Sequence, residues 1–453
     1  MNLKISWCPG PALPVLLVCA ALTACGGKTT TSSVGQTAVA MLRFNASDGT
    51  PDTSLTGGSG GLVTTDVNPS RNDLAFAVVL QADGKIIAVG NTTPANSGIA
   101  VIRYNTDGTL DPTFGSGGTT VTSLPSTDVC AFAATLQTDG KLLVAGRFST
   151  STGSGLLLLR YHTNISTGTP GTLDTASFGG TLGYAMTAIP NGSDTGAEAI
   201  ALSGTNILIA GHSRIGGKYQ IALAQYTTGG VLDTTSGFGS GTGIVTTQIG
   251  SGDADAAALA VQTDGKIVAA GLAGSVATNV WDVALLRYNA AGTLDTTFGG
   301  DGIVTTTGAG LGSNYANAVA LQADGKIVVV GNAFANPFAG TSDIAVLRYD
   351  NVGALDPTFA GGNGFVTTDV SQFDNGFAVA LQADNKIVVA GNSNAGAGDR
   401  LALLRYNGDG SLDSGFGAGG IVSRAASGPS TVASANAVIL QPVGGAIVVA
   451  GYD

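Results

Sequence analysis

Side chains able to do chemistry are few in this chain, and their spacing says what they are for. Its 453 residues include two histidines, His162 and His212. They fall at non-equivalent points of a repeated phrase, so a histidine-based metal site would require distant loops to converge. His212 stands where Asn91, Asn332 and Asn392 stand in sister phrases, which reads as drift within one unit. Gly57-Gly58-Ser59-Gly60-Gly61 satisfies the nucleophile-elbow pattern of serine esterases. That chemistry needs a strand-turn-helix setting, whereas this stretch is a glycine loop equivalent to Gly115–Gly118. Asn105-Thr106-Asp107-Gly108-Thr109-Leu110-Asp111 places oxygen ligands at alternate positions, as a calcium site would. It lacks the spacing and the closing glutamate of an EF-hand, so a hairpin turn with a structural aspartate is the simpler reading. No catalytic residue and no cofactor are assigned.

Four arginines precede an aspartate by eight residues: Arg103 and Asp111, Arg287 and Asp295, Arg348 and Asp356, Arg405 and Asp413. A hairpin centre falls between the members of each pair, so they meet across adjacent strands. A pair that recurs in many units has a structural role, because a single active site needs asymmetry. Function is therefore expected where units differ, in stretches 91–97, 147–155, 212–218, 272–279, 332–341 and 392–399. In or beside them lie Arg147, Arg214, Lys218, Trp281, Phe334, Phe338 and Arg400, cations and aromatics suited to contacting a ligand.

These residues must be positioned by a repeated scaffold. Ala318-Val319-Ala320-Leu321-Gln322-Ala323-Asp324-Gly325-Lys326-Ile327-Val328-Val329-Val330-Gly331 is one phrase; Asp343–Tyr349, Leu355–Phe359 and Gly364–Thr368 follow it. The closing glycine recurs at Gly90, Gly146, Gly211, Gly271, Gly331, Gly391 and Gly451, in steps of 56, 65, 60, 60, 60 and 60. The aromatic that ends the second phrase recurs seven times, as Phe44, Tyr104, Tyr161, Tyr226, Tyr288, Tyr349 and Tyr406. Each unit divides into four short apolar or alternating runs, and Asp-Gly joins the first two, as at Asp83-Gly84 and Asp324-Gly325. Four antiparallel strands in about sixty residues match a blade of a β-propeller.

The first repeat element, Val39–Phe44, is a third strand without a first or second, and the last, Ala437–Gly451, is a first and second without a third. The two halves complete one blade and close the ring, removing exposed sheet edges. A different phasing would make the termini neighbours without strand exchange. An open β-solenoid is the rival architecture, but it wants shorter periods and capping units. Six or eight blades compete with seven because the third unit degenerates around Gly204-Thr205-Asn206. The expectation is an all-β, seven-bladed propeller over residues 38–453.

Gln-Ala-Asp-Gly-Lys-Ile-Val-Val, Leu-Arg-Tyr-Asn, Leu-Asp-Thr-Thr-Phe-Gly and Gly-Ile-Val-Thr-Thr together resemble the delta-60 repeat of bacterial secreted and surface proteins. The resemblance covers nearly all of residues 38–453. It implies a propeller and no particular reaction.

Ahead of the repeats, Lys4 precedes an apolar stretch, Ala12–Leu22, too short to span a bilayer. It ends in Leu22-Thr23-Ala24-Cys25, which resembles the lipobox of bacterial lipoproteins; a plain secretory signal with a chance cysteine is the other reading. The resemblance implies a signal peptide over 1–24, lipidation of Cys25, and outer-membrane sorting through Gly26. Residues 25–37, rich in Gly, Ser and Thr, suit a flexible tether. Without residues 1–24, 18 basic and 30 acidic side chains remain, a net charge near −12. Such a surface repels nucleic acid and anionic headgroups. With Cys8 and Cys19 removed and Cys25 acylated, Cys130 is left as a buried apolar thiol with no disulfide partner.

The leading expectation is a monomeric, non-enzymatic envelope lipoprotein. It is held to the membrane by its lipid alone and binds an envelope or extracellular protein, peptide or glycan. The alternative is a secreted hydrolase or lyase using carboxylates or a divalent metal at the channel.

Overall fold

Alternating apolar runs on either side of each Asp-Gly turn make a hairpin, and a second hairpin continues the same sheet outward. The computed structural model describes residues 37–453 except 94–97, 126, 276–279, 308–312, 335–340, 395–397, 426–432 and 443–444. It contains seven four-stranded antiparallel sheets. Blades 1 to 6 run consecutively over 72–122, 128–187, 192–247, 253–306, 313–368 and 373–425. The first strand of each blade lies innermost and packs against the innermost strands of both neighbours. That chain of contacts returns from Ser434–Leu440 to Asn72–Leu80, so the ring is closed. This is the seven-bladed propeller expected from the repeats.

Blade 7 is assembled from both ends of the described chain. Its order from the inside is Ser434–Leu440, Ile447–Tyr452, Val39–Phe44 and Leu62–Thr65. The junction pairs Val39 with Tyr452 through to Phe44 with Ile447. Backbone bonds between Ala38 and Asp453, 3.1 Å in each direction, extend it. Among the described residues, no helix is long and apolar enough to cross a membrane.

A four-stranded sheet presents two apolar faces and cannot bury them alone, so the core lies between blades. Ile87, Val89 and Val101 of blade 1 pack with Val129, Val144 and Leu157 of blade 2 in one buried cluster. Val388 and Leu403 of blade 6 do the same with Leu42 and Val449 of blade 7.

Polar clasps reinforce these seams. Tyr104, Tyr161, Tyr226, Tyr288, Tyr349 and Tyr406 each hydrogen-bond a threonine of the preceding blade's outer strand at 2.7–2.8 Å. In the other direction, Arg103, Arg287 and Arg348 each donate to a backbone carbonyl of the next blade, at Thr163, Asn351 and Gly408. Arg405 reaches Ala46 and so clasps blade 6 to the N-terminal half of blade 7. The four arginines meet their aspartates at 2.7–2.9 Å between Nε and Oδ2. A lysine from the blade's first hairpin joins each pair, as Lys326 does Asp356 at 3.1 Å. A phenylalanine ring lies under each guanidinium, 4.6 Å away for Arg348 and Phe359. Arg43 with Asp52 and Arg160 with Asp174 build the same device at other spacings. Blade 3 carries Gln225 and Asn206 at the arginine and lysine positions, and both amides bond Asp233.

The oxygens proposed above for calcium are engaged. Asp107 accepts the N–H and hydroxyl of Thr109, and Asp111 faces Arg103 and Lys85. Cys130 is buried, but the expectation of an unpaired thiol is corrected, because it is disulfide-bonded. It is the sole cysteine among the described residues, so its partner lies outside them.

Arg348→Ala removes one clasp and leaves Asp356 buried with only Lys326 for countercharge. Breaking a buried pair from one side costs about 3 kcal/mol. The melting temperature should fall by several degrees, and an unchanged value would refute a structural role for the pair. Burial pushes the Asp356 carboxyl up, but Thr358, Lys326 and Arg348 outweigh it and hold the group well below the usual carboxylate range. Its contribution is therefore present above the unfolded value of about 4 and lost as pH falls below it. Urea midpoints should drop on acidification below about pH 4, and Asp356→Asn should flatten that limb.

Candidate functional site

One glycine per blade sets the geometry of the inner ring. On the second strand, a Cβ at Gly331 would lie 1.7 Å from the Tyr315 carbonyl oxygen, and one at Gly211 would lie 2.1 Å from that of Gly196. Only glycine permits this approach. The inner strand answers with a β-bulge just beyond, between Ala316 and Ala318 or Ala197 and Ala199. The bulged residue is partly exposed on the inner strand in every blade, and neighbouring ones meet edge to face where Phe76 and Phe132 stand 5.7 Å apart.

The residue after each glycine is held against the next blade. These seven are Asn91, Arg147, His212, Leu272, Asn332, Asn392 and Tyr452. Six are buried and Leu272 is nearly so. At two of the three asparagines the side chain meets the next blade's backbone: Asn91 donates to the Ala131 carbonyl at 3.0 Å and accepts the Ala131 N–H at 2.8 Å. Asn332 accepts the Gly376 N–H at 3.1 Å in the same way.

At the blade 2–3 and blade 3–4 seams the same position is charged or titratable. Arg147 lies 3.4 Å from Asp194 of blade 3. His212 places Nδ1 3.2 Å from Glu198 Oε1, on the bulge of its own blade, and 3.4 Å from Asp255 Oδ2 of blade 4. Tyr219 packs edge to face on the imidazole at 5.5 Å. Its hydroxyl donates to Asp194, and its N–H donates to Asp253 at 2.8 Å. A polar network thus crosses three consecutive blades.

The electrostatics are those of two carboxylates forced together. Burial pushes the Glu198 carboxyl up, and the neighbouring Asp255 charge adds to this, raising it to about 7. Burial alone would lower the His212 imidazole, but the charges of Asp255 and Glu198 outweigh it and raise it to about 10. Chemically, the group offers one nitrogen and two carboxylates whose ligand atoms lie within 4.8 Å of one another. A second cluster, Asp343, Asp369 and Asp374, is all carboxylate. Asp374 there accepts the Val370 and Ser371 N–H groups on Oδ2 at 2.6 and 2.9 Å and the Ser371 hydroxyl on Oδ1 at 2.9 Å.

The residues expected to contact a ligand are dispersed. Arg147 is buried on a strand. Trp281 and Phe334 pack together with Tyr315, 1% and 4% exposed, as part of the blade 4–5 seam. They do not present their rings to solvent, because the second strand runs on past its glycine to Phe334 and the third begins at Val280. Arg214 and Lys218 are exposed where the second and third strands of blade 3 turn. Arg400 is half-buried and donates to the Ser423 hydroxyl at 2.9 Å. Phe338 and Cys25 lie outside the described residues. His162 stands apart on the opposite face, 3.7 Å from Asp174.

Sequence reasoning treated His212 as drift and did not single out Glu198 or Asp255. A signal was present: Glu198 is the sole glutamate of the chain, and it falls in the same unit as one of two histidines.

The family described as "Domain of unknown function (DUF5122) beta-propeller" matches residues 26–55, 81–114, 137–167, 206–235, 262–298, 322–359 and 382–416, about half of the chain. No curated protein matches. Among solved structures, virginiamycin B lyase from Staphylococcus aureus is similar at 12% identity, covering 83% of this chain and 94% of that one, with a TM-score of 0.38. Sqt1 from Chaetomium thermophilum is similar at 12% identity, covering 77% and 72%, with a TM-score of 0.40. Acylaminoacyl peptidase from Pyrococcus horikoshii is similar at 11% identity, covering 81% of this chain and 47% of that one, with a TM-score of 0.37. These likenesses carry no argument about activity.

Because the glycine approach positions the site, Gly211→Ala should abolish soluble expression. Gly117→Ala, at positive φ with open space around it, should cost only about 1–2 kcal/mol and leave the protein folded. Equal effects, read from soluble yield and melting temperature, would contradict the close-approach account.

Proposed function

The chain belongs to the DUF5122 β-propeller family, and from that premise we propose that it is a delta-60-type lipoprotein of the bacterial cell envelope that binds a protein, peptide or glycan without catalysing a reaction. It works as a monomer, anchored through acylated Cys25 and the tether of residues 25–37, with its propeller held off the membrane; in this reading the Cys130 disulfide belongs to the uncleaved chain, because maturation removes Cys8 and Cys19 and acylates Cys25.

One observation carries the reading: the blades are alike on one face and unlike on the other. On the face of the Asp-Gly hairpins, arginine, aspartate, lysine and phenylalanine repeat, and their charges are spent on each other and on the next blade. On the face where second and third strands turn, the position after the glycine varies from asparagine to arginine, histidine, leucine and tyrosine. There Arg214 and Lys218 stand exposed in a chain of net charge −11, which suits an acidic partner surface. The alternative, a hydrolase or lyase with a carboxylate or metal centre, draws on Glu198, His212 and Asp255. There His212 and Asp255 are buried in the seam, whereas Arg214 and Lys218 stand exposed, so the binding reading is preferred.

Two measurements test this. Metabolic labelling with a fatty acid should tag the wild-type chain and not Cys25→Ser; labelling of neither would remove the anchor. Crosslinking in intact envelopes should trap a partner with wild type and with Asp324→Ser on the hairpin face. The same partner should be lost from Arg214→Glu/Lys218→Glu. Capture insensitive to that charge reversal would overturn the assignment of the binding face.

A further inference from the structure

We propose that Glu198, His212 and Asp255 form a binding site for a divalent transition-metal cation, zinc in the first instance, at the seam between blades 3 and 4. This goes beyond the binding reading above and does not rest on it, since a cation there belongs to the seam whether or not a partner docks.

Geometry comes first. Two ligand atoms bound to one zinc at about 2.0–2.2 Å in tetrahedral array lie about 3.3 Å apart. His212 Nδ1 is 3.2 Å from Glu198 Oε1 and 3.4 Å from Asp255 Oδ2. Both carboxylates thus stand off the imidazole nitrogen at the spacing of a coordination sphere, and the ligand atoms of all three residues lie within 4.8 Å of one another.

Satisfaction comes second. Neither ring nitrogen of His212 meets a partner in hydrogen-bond geometry, nor do Glu198 Oε1 and Asp255 Oδ1, although all four are buried. His212 is 2% exposed. The asparagines at this position do find partners, Asn91 and Asn332 on the backbone of the next blade and Asn392 on the Asn375 amide of its own. Buried polar atoms without partners are costly, and a native fold that keeps several together has a reason to. A cation takes up one oxygen from each carboxylate and the imidazole nitrogen at once.

Charge comes third. Two carboxylates beside an imidazolium leave a buried net charge of −1. Two carboxylates, a neutral imidazole and a divalent cation sum to zero, which a buried seam holds at lower cost. The donor set selects the metal: an imidazole with carboxylates suits zinc and manganese, while calcium and magnesium prefer oxygen alone. Tyr219, fixed by Asp253 and Asp194, holds the imidazole plane. Glu198 lies on the partly exposed bulge, giving the site access from the inner strand's open edge.

The test uses the purified full chain stripped with a chelator and titrated with zinc against a chromophoric competitor, alongside His212→Asn and Glu198→Gln. Asparagine stands at this position in blades 1, 5 and 6, so His212→Asn keeps a side chain the fold accepts. Wild type should take up one equivalent, and each variant should bind at least about 100-fold more weakly. Zinc should raise the melting temperature of wild type and not that of the variants. Cobalt in place of zinc should give a visible absorption band in wild type alone. Substoichiometric uptake by wild type, or equal affinity in wild type and both variants, overturns the site. Neither result bears on partner capture through Arg214 and Lys218, so the two proposals fail separately.

Discussion

The close approach of one glycine to the inner strand is the constraint on which the rest of this ring depends. At each of seven positions the second strand passes so near a carbonyl of the first that a side chain is impossible; the Gly90 Cβ would sit 1.7 Å from the Leu74 oxygen. The inner strand bulges immediately afterwards, between Ala75 and Ala77 in that blade. Three consequences share this cause. An unpaired residue is left at the inner strand, the residue after the glycine is turned against the next blade, and both fall at fixed height in every unit. The scaffold thus offers seven equivalent side-chain positions at its seams before any functional residue is chosen.

Seams, not sheets, hold the ring together, and they are redundant. Each apolar cluster draws on two blades, and polar clasps run in both directions across the same gap. Gln225 replaces the arginine in blade 3, yet that seam keeps the hydroxyl contact of Tyr288 with Thr247 at 2.8 Å. Phe44 lacks a hydroxyl in blade 7, yet that seam keeps Arg405, which bonds both Ala46 and Ser47. Loss of one clasp is tolerated where the other persists. That is why blade 3 can depart from the repeat without opening the ring.

The fold was legible because its determinants are local and repeated. Asp-Gly turns, seven glycines and seven aromatics are read from residues close in sequence, and the half-units at either end point to the shared blade. The Arg348 and Asp356 pair was legible for the same reason, since a hairpin folds an eight-residue spacing into a contact. Arg160 and Asp174 escaped because a longer hairpin loop, around the exposed Ile165, separates them by fourteen residues. The cluster at His212 left one trace in the sequence, the sole glutamate in the unit of one of two histidines, but its geometry was not legible because it is a property of a seam. Glu198 and Asp255 come from different blades, and only ring curvature brings them to one imidazole. Trp281 and Phe334 were misjudged by the opposite error, in which strands were ended at their glycines and core aromatics became surface contacts.

A buried position that repeats seven times limits what can replace its usual occupant. Asparagine serves well because it carries both a donor and an acceptor, and the bulge of the next blade offers a carbonyl and an N–H at matching places, as Asn91 shows with Ala131. It needs no other side chain to change. Histidine cannot make that pair of bonds with one ring face, so a lone Asn→His change would leave a buried imidazole unsatisfied. Here the histidine is accompanied by the only glutamate in the chain, at the bulge, and by an aspartate where blades 1 and 5 carry Leu74 and Tyr315. Three departures on three separate strands, converging within hydrogen-bond range of one nitrogen, are not what independent drift produces. Drift at one position would be selected against by burial, whereas a group with a shared occupant satisfies all three at once.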